Sequence, residues 1–117
     1  MADAHKNFAY SLVTNAVGAE GTSLIVTNAT EAGYFPAVPF NATVWPANLQ
    51  PITTNAEIVR VTNISSATFT IVRNQEGSTN RTIAVGDQIA ATITAKVIND
   101  RTSTGSAITT AMGYNKM

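Results

Sequence analysis

Between Gln88 and Val97 the chain alternates strictly, and this run restricts the fold more than any other feature. Ile89, Ala91, Ile93, Ala95 and Val97 would share one face, with Gln88, Ala90, Thr92, Thr94 and Lys96 on the other. Side chains of a strand point alternately to its two faces, so a period of two marks a half-buried strand. A helix would need apolar residues in i+3 and i+4 steps, and the run does not supply that pattern.

A second segment, Glu57–Asn74, reads as a hairpin. A three-residue loop at Ile64-Ser65-Ser66 would set Val61 opposite Phe69, Val59 opposite Ile71 and Glu57 opposite Arg73. This register aligns an apolar stripe and ends it on a pair of opposite charges, both of which stabilise a ladder. In this reading the Glu57–Arg73 pair is exposed and structural. The expected core includes Val59, Val61, Phe69, Ile71, Ile89 and Ile93.

Further strands are expected at Phe8–Val13, Ser23–Thr27 and Phe40–Trp45, with a short one at Arg81–Val85. Turn residues separate them at Val17-Gly18, Glu20-Gly21, Ala32-Gly33, Ser65-Ser66, Glu76-Gly77 and Gly86-Asp87. Pro36, Pro39, Pro46 and Pro51 exclude one long central strand over that region, because proline cannot donate to a ladder. Many short β-type runs between turn signals predict an all-β chain, a small antiparallel β-sandwich or barrel-like domain. One domain over 1–117 is expected, with the β core at about 8–99 and extended terminal arms at 1–7 and 100–117. At least one arm is expected to lie against a neighbouring subunit.

Charge narrows the function. Seven Lys and Arg balance seven Asp and Glu, and charged residues make up only 12% of the chain, against about 25% in ordinary soluble domains. A balanced charge argues against nucleic-acid binding, which needs a basic face, and against electrostatic docking on an anionic membrane. Polarity comes instead from Thr and Asn. A surface with few charges resists association poorly, so much of it is expected to associate.

Chemistry-bearing residues are sparse. The chain has no Cys, which removes disulfides, thiolate metal sites and cysteine nucleophiles. His5 is the one histidine, in a polar stretch near Asp3, and reads as an exposed terminal residue. Glu57, Glu76 and Asp87 are the central carboxylates, but their spacing does not force a catalytic pair together. Sequons occur at Asn28, Asn41, Asn63 and Asn80 and carry meaning only in a protein secreted by a eukaryote. The run Gln75–Thr79 lacks the spacing and lysine of a phosphate loop. No enzymatic activity, cofactor or metal is expected.

Half of the aromatics fall in twelve residues: Tyr34, Phe35, Phe40 and Trp45. Such residues are either core or interface anchors. Tyr34, Phe35 and Trp45 are the candidate interface residues of this run, joined by Ile108, Met112 and Tyr114 in the C-terminal segment.

Four stretches together resemble a module of tailed-bacteriophage virion proteins. They are Phe35–Pro46 followed by Ala56–Thr62, then Thr68–Ser78, then Gly86–Lys96. The resemblance spans about Phe8 to Asn99. Its signature is strand and turn residues, so it transfers no catalytic residue. It implies a virion structural protein that assembles in the bacterial host cytoplasm. The favoured form is a capsid decoration (cement) protein that binds the major capsid protein, with a trimer as the favoured homo-oligomer. The alternatives are a tail, fibre or baseplate adaptor module and, behind it, a carbohydrate-binding β domain.

Overall fold

The structure, a computed structural model, describes residues 3–95 and 98. It is nearly all β. Six antiparallel strands form one sheet: β1 (Tyr10–Leu12), β2 (Ser23–Ile25), β3 (Phe40–Trp45), β4 (Glu57–Ser65), β5 (Thr68–Val72) and β6 (Gln88–Ala90). Their order is β1-β6-β3-β4-β5-β2. A single helical turn, α1 (Ala29–Ala32), and a 3-10 turn at Gln75–Gly77 complete the described elements.

The sheet curls until its edges meet. Just past β1 and β2 the chain forms an antiparallel bridge, Val13 to Val26. Thr14 N donates to Ile25 O at 2.8 Å, and Ile25 N donates to Asn15 Oδ1 at 2.8 Å. A second bridge pairs Val17 with Ile83 through two hydrogen bonds of 2.8 and 2.7 Å. Edge strands with unpaired N–H and C=O groups invite further pairing, and here these bonds tie the segments that follow the two edge strands to each other.

The inward face follows the alternation of each strand. Leu24, Phe40, Ala42, Val44, Val59, Val61, Phe69, Ile71 and Ile89 are buried together, with Val13, Val17, Val26 and Ile83 from the bridging segments. Asn28 caps α1, its Oδ1 accepting from Glu31 N at 3.0 Å, a common way to satisfy a free N-terminal amide. The turn delivers Ala32 and Phe35 to the core. There Phe35 meets Phe69 edge-on at 5.0 Å and Phe40 in a stacked contact at 6.0 Å. Both are favourable aromatic geometries.

β3 is buried on both faces. Its second face is covered by polar contacts and an aromatic: Arg60 reaches Asn41, Thr92 meets Thr43 hydroxyl to hydroxyl at 2.8 Å, and Tyr10 lies 6.4 Å from Trp45.

Three expectations need correction. The hairpin turns tightly at Ser66-Ala67, and Thr62 forms a bulge, so Val61 faces Ile71 and Ile64 faces Phe69. At Val61 the register differs by two residues from the one read from sequence. A shift of two keeps every side chain on its face, so the apolar stripe survives. The strand expected at Gln88–Val97 ends at Ala90. Ala91 N still donates to Ala9 O at 2.9 Å, but the segment leading into β1 then turns away at Phe8, whose φ is 61°. The ladder with β1 stops there, and Ile93, expected in the core, is 72% exposed. The strand expected at Arg81–Val85 shrinks to the single bridge at Ile83. Val97 and residues 100–117, including the expected C-terminal arm, lie outside the described residues.

Candidate functional site

Among the described residues, six charged side chains form three ion pairs within the chain. At the end of the apolar stripe of β4 and β5 sit Glu57, fully buried, and Arg73, nearly so. Arg73 Nε and Nη2 donate to the two Glu57 oxygens at 2.8 and 2.7 Å. Arg73 Nη1 donates to Gly18 O and Gly21 O, and Nη2 also to Arg81 O. All five guanidinium donors are therefore met. Glu57 accepts in addition from Asn74 N and Arg81 N, both at 2.9 Å. Burial alone would raise the Glu57 carboxyl; the hydrogen bonds from Arg73, Asn74 and Arg81 and the guanidinium charge outweigh it and hold the group below its ordinary range. The pair is buried, not exposed as its sequence position suggested, because both residues continue an inward-facing stripe.

Two further ion pairs follow. Arg60 grips Asp3 with two hydrogen bonds of 3.1 Å and Asn41 Oδ1 at 2.9 Å. Asn41 Nδ2 donates onward to Glu76 at 2.6 Å. This draws the N-terminal segment of the chain onto its own sheet, with Asp3 buried. Arg81 meets Asp87 at 2.9 Å, and Asp87 also caps the turn by accepting from Ala84 N. The three carboxylates singled out in the sequence, Glu57, Glu76 and Asp87, thus all hold structural partners. Among the described residues Arg60, Arg73 and Arg81 each meet a carboxylate and Lys6 does not; its Nζ donates to Gly33 O at 2.8 Å.

The most unusual surface lies beside Lys6. Phe8 is 91% exposed and holds a left-handed backbone. That conformation costs an L-residue roughly 1–2 kcal/mol, and for a bulky side chain it is uncommon. The flanks impose it. Ala9 is buried and bonded to Ala91, and Lys6 is tied to Gly33. Phe8 stands between two shallow hollows, one bounded by Ala91, Ile93 and Ile98, the other by Tyr10 and Tyr34. Ile93, Ile98, Tyr10 and Tyr34 are all exposed. An apolar cluster of this kind on a folded domain is the form an interaction site takes.

Of the candidate interface residues, Tyr34 lies at this surface. Phe35 is buried in the aromatic cluster and Trp45 is buried with its Nε1 donating to Leu49 O at 2.9 Å. Neither is available on the surface of the chain. Ile108, Met112 and Tyr114 lie outside the described residues. His5 is exposed at the rim of the first hollow. Sequence reasoning missed Phe8 because residues in left-handed backbone are usually Gly, Asn or Asp, and the pattern of Phe8–Val13 reads as a strand throughout. Compared with known proteins, the chain matches no family model and no curated protein sequence.

Proposed function

We propose that this chain is a virion structural protein: a capsid decoration (cement) protein that binds the phage head, as a homo-oligomer, and stabilises it through subunit contacts. The observation that supports this reading best is the disposition of charge. The chain has few charges, and three arginines and their carboxylate partners are engaged inside the domain. Outside, among few charges such as Lys6 and Glu20, lies a set of exposed apolar residues that includes Phe8, Tyr10, Tyr34, Leu49, Ile52, Val85 and Ile93. Such a surface favours lasting contact with other proteins. The virion setting is supported by the resemblance of Phe35–Pro46, Thr68–Ser78 and Gly86–Lys96 to phage virion modules.

The reading is tested by co-sedimenting the purified chain with heads and with tails from a phage that encodes it. Saturable binding to heads is expected. Binding confined to tails would make the chain a tail, fibre or baseplate adaptor. Binding to neither, with a positive glycan array, would favour the carbohydrate-binding alternative.

A further inference from the structure

We infer that Phe8 is a preformed anchor that enters an apolar pocket edged by carboxylates on the surface of the head. This rests on the proposed decoration role and names the contact that role would use. Three observations converge on it. First, Phe8 projects almost entirely into solvent from a backbone fixed on both sides, so its direction is set before any partner arrives. A side chain already held in its bound direction loses little freedom on docking, which is the advantage of a preorganised anchor. Second, the hollows that flank Phe8 are bounded by Tyr10, Tyr34, Ile93 and Ile98, which would close around a pocket rim and exclude water from it. Third, Lys6 brings a positive charge to both hollows, and among the described residues no carboxylate lines them. The Lys6 ammonium uses one donor on Gly33 O, and two remain for a partner.

The same charge argues against a second copy as the occupant. A two-fold contact through this patch would bring Lys6 toward its own counterpart, and like charges set against each other disfavour an interface. The complementary surface is therefore apolar at its centre and acidic at its edge.

The test uses the full chain and heads purified from particles that lack it. Phe8→Gly removes the anchor and also the backbone strain, so the variant should melt at the same temperature as the parent or higher. Its affinity for heads should fall roughly thirtyfold or more, the loss expected when a central anchor is removed. Lys6→Glu should weaken head binding and flatten its dependence on salt, because its charge no longer faces one of opposite sign. A Phe8→Gly chain that binds heads as tightly as the parent overturns the inference while leaving the decoration role intact. A parent chain that fails to bind heads removes the decoration role and this contact with it. A change of oligomeric state in Phe8→Gly, seen by light scattering, with head affinity per subunit unchanged, would instead assign the patch to contacts between copies and overturn the inference.

Discussion

Arg73 ties together four segments of the chain: the start of β4 at Glu57, the end of β5, the loop carrying Gly18 and Gly21, and the backbone at Arg81. An exposed ion pair would contribute about 0.2–1 kcal/mol. Removing one partner of a buried pair costs about 3–5 kcal/mol, because the other charge is left without compensation. Arg73→Ala should therefore destabilise by that larger amount in urea denaturation. Arg73→Lys should recover only part of the loss, since an ammonium cannot span two carboxylate oxygens and three carbonyls. The acid response follows from Glu57. Its folded-state carboxyl lies below the ordinary value of 4.5, so the stability it contributes is present above that value and is lost as pH falls through the folded-state value. Thermal unfolding followed from neutral to strongly acid pH should show this decline. In Glu57→Gln the neutral-pH stability should be lower and the gap to the parent should narrow in acid. A gap that widens in acid would reverse the assigned sign. The sequence marks this pair through the opposite charges that end an apolar stripe. Its burial depends on Gly18, Gly21 and Arg81, which are remote in sequence and give no periodic signal.

Among the elements, β3 is legible to the residue because Pro39 and Pro46 bracket Phe40–Trp45. The β4–β5 hairpin is legible in its faces but not in its register. Alternation reports the face of each residue, and a two-residue shift leaves the faces unchanged. The turn chemistry is also atypical, with Ser66 in left-handed backbone at φ 54° where glycine is usual. Ser66→Gly should accordingly stabilise the hairpin by about 0.5–1 kcal/mol. Gly86, at φ 94°, is the converse case. Gly86→Ala should cost more than about 1 kcal/mol, because alanine cannot adopt that backbone without strain. Equilibrium unfolding of the two variants should give shifts of opposite sign; shifts of the same sign would contradict the turn geometry. β6 is shorter than its alternation suggests, and on its β1 side the turn of the backbone at Phe8 removes the neighbour a ladder needs. No local pattern at Gln88–Val97 records that event.

For the whole molecule, the β class and the buried stripe were legible because both follow from local periodicity. The exposed apolar surface was not, apart from Tyr34, because it depends on which aromatics the curled sheet encloses. Phe35 and Trp45 are enclosed, while Phe8, two residues before the start of β1, is left outside. The inwardly paired charges and the exposed apolar surface support the proposed place of the chain on the head of a phage particle. A protein that coats a capsid must be present in proportion to capsid subunits, whereas a tail component is limited by the few positions a tail offers. Quantitative mass spectrometry of purified virions, with the major capsid protein as internal standard, measures this directly. For a decoration protein, a copy number of the same order as that of the major capsid protein is expected. A far lower number, or absence from the particle, would contradict it.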